Sequence, residues 1–94
     1  WFGFLLTIKK NAPFTKNQIV AYLEKNKIAT RMLFGGNIIY QPAYNRKKHR
    51  IVSNLKNTDF VMNNGFWIGV YPGIDNERRN YVISIFDKFL KSYL

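Results

Sequence analysis

The sequence predicts an α+β fold, a small and mainly antiparallel three-stranded sheet with helices packed on one face. Three observations lead there. Apolar runs rich in aromatic and β-branched residues recur at 1–9, 28–34 and 66–71. Stretches with apolar residues at helical spacing follow polar capping residues at Thr15 and Asp75. The resulting order is strand, helix, strand, loop, short helix, strand, helix.

The first strand is expected over Trp1 to Lys9. Its start is apolar on both faces, so it is expected to be covered on both sides. Pro13 closes the turn after it. Thr15 with Gln18 then fits a capping box, in which each side chain satisfies a free backbone donor at the other position. Ile19, Val20 and Leu23, with Tyr22 at the edge, form the apolar face of that helix, and Asn26-Lys27 ends it. Ile28 to Phe34 reads as the second strand, broken by Gly35-Gly36, a pair that permits positive φ and close backbone approach. Asn37 follows, and Pro42 stiffens the exit.

Asn45 to Arg50 is expected as a loop and Ile51 to Leu55 as a short ordered piece. Thr58 is expected to cap a short helix running through Asp59 to Asn63, with Asp59 at its positive end. Asn64-Gly65 ends it, Phe66 to Tyr71 is the third strand, and Pro72-Gly73 stops that strand. Asp75 caps the last helix, helped by Glu77. Val82, Ile85, Phe86, Phe89, Leu90 and Tyr93 form its stripe, which core packing explains better than a binding face. Lys88 and Lys91 complement the dipole at its end.

A chain of 94 residues is one domain with a modest core, and 47% apolar with 17% aromatic residues argues against disorder. There is no cysteine and one histidine, which removes disulfides, thiolate metal sites and cysteine nucleophiles and speaks against structural zinc. The opening run is too short to span a bilayer and lacks the basic start and cleavage pattern of a signal peptide. It reads as a strand entered in mid-protein, so residues 1–94 are expected to be a C-terminal piece with some apolar surface laid bare. The formal charge of +10 attracts polyanions, nucleotide diphosphates among them. The sharpest cluster, Arg46-Lys47-Lys48-His49-Arg50, has a solvated loop as its plain reading. A small basic nucleic-acid-binding module is a separate functional class to weigh, but the chain lacks a recognition helix and an aromatic-plus-glycine RNA signature.

The stretch from Ile28 to Tyr44 stands out. A strand carrying Arg31 and ending in Gly35-Gly36-Asn37 can present polar groups to a ligand, although a strand followed by a turn explains the same residues. Lys27-Ile28-Ala29-Thr30-Arg31, Phe34-Gly35-Gly36-Asn37 and Gln41-Pro42-Ala43-Tyr44 resemble the C-terminal domain of the DegT/DnrJ/EryC1/StrS family of vitamin-B6-dependent enzymes. Asn57-Thr58-Asp59 and Phe66-Trp67-Ile68-Gly69-Val70-Tyr71-Pro72-Gly73 extend the resemblance over nearly the whole chain. It is strongest to the branch of 3-dehydrases acting on CDP-linked 4-keto-6-deoxyglucose. The family's aminotransferases usually carry His-Tyr where this chain has Phe34-Gly35, and they are the runner-up.

The resemblance implies the C-terminal small domain of a fold-type-I B6 enzyme, with PMP or PLP held mainly by a separate N-terminal domain. It further implies an iron–sulfur cluster with no ligands in this fragment, a CDP-linked keto-deoxy sugar as substrate, a flavin/iron–sulfur reductase partner, a homodimeric parent and a cytoplasmic setting. It implies that the fragment alone is inactive.

No residue here is a convincing catalyst. His49 lies among four cations, and one histidine in a basic loop makes no triad. Gly35-Gly36-Asn37 lacks the spacing and the Lys-Ser/Thr ending of a phosphate loop. The candidates therefore line a site. Arg31 can bind phosphate or carboxylate as a fork, with a structural salt bridge as its equal alternative. Asn37 with Gly36 is expected to meet sugar hydroxyls or cofactor, and Phe34 and Tyr44 to form an apolar wall; these roles come from the resemblance.

Overall fold

The computed structural model describes residues 1–94. Strand β1 is Gly3–Thr7, helix α1 Lys16–Lys25, strand β2 Thr30–Arg31, helix α2 Lys56–Asn64, strand β3 Gly65–Gly69 and helix α3 Asn76–Lys91. A 3₁₀ turn, Ile38–Tyr40, lies between β2 and α2. The sheet order is β1-β3-β2, with both pairs antiparallel. The expected class and element order are therefore what the chain adopts.

Alternation along the strands decides which side is the core. Leu6 pairs with Phe66, and Thr30 with Ile68, so these side chains share one face. Helices α1 and α3 pack against that face. Ile8, Ile19, Leu23, Ile28, Phe66, Ile85 and Phe89 form the buried cluster. Phe14, Tyr22 and Tyr93 close around Phe89 at centroid distances of 5.0 to 5.1 Å. Each of these side chains contributes about 1.5–3 kcal/mol by burial. The capping box of α1 is complete. The Thr15 N–H donates to Gln18 Oε1 at 2.7 Å, and the Gln18 N–H donates to Thr15 Oγ1 at 3.3 Å. Asp75 Oδ1 accepts from the Arg78 N–H at 2.8 Å and opens α3.

Several boundaries differ from expectation, each for a local reason. The second strand keeps only Thr30 and Arg31 of the apolar run 28–34. Glu24 fastens Thr30 to α1, accepting from its N–H at 2.6 Å and its hydroxyl at 2.7 Å. Two residues past Arg31 the chain turns, with the Gly36 N–H donating to the Leu33 carbonyl and Phe34 at φ 49°, a left-handed conformation no strand contains. The short helix begins two residues before Thr58, behind a left-handed Leu55. The Asn54 side chain accepts from the Lys56 N–H at 3.1 Å, so Thr58 is not the cap. Residues 51–55 form no regular element, and Ser53 and Leu55 both have positive φ.

The first strand is not covered on both sides, because Phe4 is 58% and Leu5 47% exposed. Leu90 also stays outside the stripe that α3 buries. Helix α2 buries no residue and adds none to the core, so the helical layer on the sheet is α1 and α3. A hydrogen bond from Lys16 Nζ to the Met62 carbonyl ties α2 to α1.

The molecule is thin for its mass. It measures 50 × 33 × 20 Å, with a radius of gyration of 16.0 Å against about 13 Å expected for a chain of this length. It exposes 7746 Å², where a monomer of 11.1 kDa is expected to expose roughly 5,700 Å². The second face of the sheet, carrying Leu5, Trp67 and Arg31, has no layer over it.

Candidate functional site

The glycine turn is built against α2. Gly36 sits at φ 67°, and a Cβ there would lie 2.6 Å from Met62 Cγ, so both backbone and space require glycine. Gln41 Nε2 donates to the Gly35 carbonyl at 2.5 Å and closes the turn from the other side.

Asn37 points inward and is 2% exposed. Its Nδ2 donates to Asp59 Oδ1 at 2.8 Å, and its Oδ1 accepts from the Ile39 N–H at 3.3 Å, capping the 3₁₀ turn. Its own N–H faces Met62 Sδ at 3.2 Å. The Asn37 carboxamide, expected to meet sugar hydroxyls or cofactor, is engaged within the fold in this structure and shapes the turn. Asp59, which sequence reasoning credited only with favouring a helix end, is the partner that fixes it. The Tyr40 hydroxyl reaches the second carboxylate oxygen at 3.4 Å. An acidic residue 22 positions after a turn asparagine carries no local signal.

Arg31 stands on the open face of the sheet, directly across from Trp67. Its Nη1 donates to the Thr30 carbonyl at 3.0 Å, and no carboxylate lies within 4 Å of it. The molecule's one ion pair joins Arg78 and Asp75, so Arg31 makes no salt bridge and spends one donor on the Thr30 carbonyl. Arg31 still acts at longer range on Glu24. The two hydrogen bonds from Thr30, chiefly, and the Arg31 charge hold the Glu24 carboxyl below the usual carboxylate range, against a smaller opposing effect of burial.

Phe34 is 81% exposed and meets Trp67 edge-on at 5.1 Å, while Phe2 meets the same indole at 5.5 Å. Phe2, Trp67 and Phe34 thus form one aromatic cluster, and Tyr44 takes part in none of its ring contacts. Period-two alternation could have found Trp67, since its neighbours Phe66 and Ile68 face the core. Tyr44 is half exposed and belongs to the turns after Gln41. His49 is also exposed, with Nδ1 2.6 Å from the Lys47 carbonyl oxygen.

The largest cleft, about 610 Å³, lies elsewhere, between residues 27–29, the end of β3 and the start of α3. It contains none of the candidate residues. No three of His, Cys, Asp or Glu are grouped to hold a metal ion, and no helix is long and apolar enough to cross a membrane. The arrangement offers an exposed guanidinium without an ion-pair partner, an aromatic face and a braced glycine turn.

The fold and these groups together define a three-stranded α+β module with a braced glycine turn beside an open sheet face. The chain belongs to the DegT/DnrJ/EryC1/StrS aminotransferase family, whose model matches residues 1–87. It is 46% identical over 89 residues to the lipopolysaccharide biosynthesis protein RfbH of Salmonella typhimurium, covering 95% of this chain and 20% of that protein. It is 44% identical over 90 residues to a dTDP-4-dehydro-2,6-dideoxy-D-glucose 3-dehydratase of Saccharopolyspora spinosa, covering 96% of this chain and 20% of the relative. Its fold matches a crystal structure of GDP-4-keto-6-deoxymannose-3-dehydratase with a trapped PLP-glutamate geminal diamine. The TM-score there is 0.72 at 23% identity, over 88% of this chain and 22% of that one. A second match is the Escherichia coli GDP-4-keto-6-deoxy-D-mannose-3-dehydratase with bound hydrated PLP, TM-score 0.70 at 20% identity, over 98% of this chain and 22% of that one. The chain thus spans about one fifth of the relatives it matches.

Proposed function

We propose that the chain is the C-terminal small domain of a PMP/PLP-dependent nucleotide-sugar 3-dehydrase. The parent would remove the C3 hydroxyl of a CDP-linked 4-keto-6-deoxyhexose on the way to a dideoxysugar of lipopolysaccharide. The observation that carries this is the 46% and 44% identity over almost the whole chain to two relatives, one named for lipopolysaccharide synthesis and one for 3-dehydration. The surface excess of roughly 2,000 Å² supports a domain that packs against further protein, since one side of a standard interface buries about 800 Å².

The cofactor does not fit this chain alone. Arg31 and Phe34 are exposed beside an open sheet face, and without cysteine there is no thiolate to hold an iron–sulfur cluster. Both groups, together with a reductase partner, a homodimer and a cytoplasmic setting, belong to the parent. The fragment alone is inactive in this reading. Its own residues bind and shape. Arg31 offers a fork to an anionic group of substrate or cofactor, Phe34 and Trp67 give an apolar wall, Tyr44 flanks the turn, and Gly36 with Asn37 holds the turn's geometry.

The full-length parent, mixed with PMP and CDP-4-keto-6-deoxyglucose, tests this. Iron–sulfur absorbance with loss of the 3-hydroxyl is the expected result. Amino transfer from glutamate without iron–sulfur absorbance would overturn it and leave the fold as described.

A further inference from the structure

The basic loop takes no part in the reading above, and its surroundings make it more than a solvated stretch. From Lys25 to Thr58 the chain carries eight Lys and Arg residues and no Asp or Glu. Four of the eight cations fall within Arg46 to Arg50, where each residue is exposed. None of them has a carboxylate within 4 Å. The nearest acids in sequence are already engaged, Glu24 by Thr30 and Asp59 by Asn37 and Tyr40. The loop's charge is uncompensated.

The loop is also tied to the glycine turn. Gln41 Nε2 donates to the Gly35 carbonyl at 2.5 Å. The Tyr44 and Asn45 N–H groups donate to the Gln41 carbonyl at 2.9 and 3.1 Å. The Lys47 N–H donates to the Tyr44 carbonyl at 2.9 Å, and the His49 ring meets the Lys47 carbonyl at 2.6 Å. Consecutive turns thus carry the cations as one unit anchored on the candidate site.

We propose that Arg46–Arg50 is a diphosphate-binding loop, taking the pyrophosphate group of a nucleotide ligand. The assignment deepens the nucleotide-sugar reading and rests on it for the ligand's identity. Clustered cations with open donors suit a compact anion of several charges better than a single carboxylate. A small ligand fits the five-residue extent of the cluster, whereas nucleic acid calls for a basic stripe interleaved with stacking aromatics, and 45–50 contains none.

The test is calorimetric titration of the 94-residue chain with inorganic pyrophosphate and with CDP. Lys47→Gln/Lys48→Gln is compared with Lys88→Gln/Lys91→Gln, which removes the same charge from the end of α3. The loop pair is expected to weaken both ligands about tenfold and the helix pair less than about twofold. Equal weakening by both pairs would show a diffuse field and overturn the assignment, as would no detectable binding by the unaltered chain. Loop-dependent binding of single-stranded RNA that is tighter than that of CDP, and steeply salt-dependent, would overturn it in favour of nucleic acid. If the parent instead proves an aminotransferase, the dehydrase reading fails while loop-dependent pyrophosphate binding stands.

Discussion

Replacing Asp59 with alanine should loosen the glycine turn from its base. The Asn37 amide is 2% exposed and has Asp59 Oδ1 as its acceptor at 2.8 Å. Without that acceptor a buried N–H is left unmatched, and a lost bond to a charged group adds to the effect. Together they cost about 2–3 kcal/mol. For a domain of this size, each 1 kcal/mol lowers Tm by about 4–8 °C, so a fall of at least about 8 °C is expected. Thermal unfolding followed by circular dichroism measures the fall and urea denaturation the free energy, with Asn37→Ala and the double variant completing a cycle. The two single changes should couple by about 1 kcal/mol or more, because each removes the same bond. Additivity within about 0.5 kcal/mol would refute the reasoning and leave Asn37 held by Ile39 and Met62 alone.

Gly36→Ala should destabilise the chain by about 2–4 kcal/mol from left-handed backbone and the contact with Met62, and Met62→Ala should recover part of it in the same denaturation assay. Glu24 has a lowered pKa, so its contribution to stability is present above the usual carboxylate range and is lost as pH falls through the lowered value. The Tm difference between the chain and Glu24→Gln should accordingly be largest near neutral pH and shrink in acid. Phe34→Ser, at an 81% exposed aromatic on the open sheet face, should leave Tm within a few degrees and reduce self-association in sedimentation velocity at high concentration. In the parent, Arg31→Ala and Arg31→Lys should both lower kcat/KM with little change in Tm, since a point charge does not replace a fork.

The elements with strong local chemistry were legible. The capping box at Thr15 and Gln18, the Asp75 cap and the α3 stripe are set within a few residues, and the structure contains each. The second strand was overcalled because apolar content from Met32 to Phe34 resembles a strand, while a tertiary contact decides where pairing stops. That contact is Glu24 on Thr30, six positions back. The α2 start was missed for a similar reason, since Leu55 in a left-handed conformation carries no side-chain cap that a sequence pattern could reveal. At the site, Arg31 and Phe34 are exposed and Asn37 is buried. The bond from Asn37 to Asp59 was not legible, because a polar side chain beside two glycines looks the same whether it faces solvent or a buried carboxylate.

The placement of Asn37 bears on how Gly36-Asn37 works in this chain. A residue that contacts a ligand can often be exchanged for another polar one at a cost in affinity. Asn37 has less freedom, because it must donate to Asp59, accept from Ile39 and fit beneath Met62 at once. Gly36 is constrained by the same methionine from the other side. The Gly36-Asn37 pair therefore forms a brace between the turn and α2, and the groups free to meet a ligand are the ones this brace sets out: Phe34 just before the turn, Tyr44 and the basic loop after it. Arg31 is set by a separate route, through its pairing with Trp67 on β3, the indole that Phe34 also meets. Damage to the turn's brace or to this pairing should alter ligand binding while the α1–α3 core remains intact.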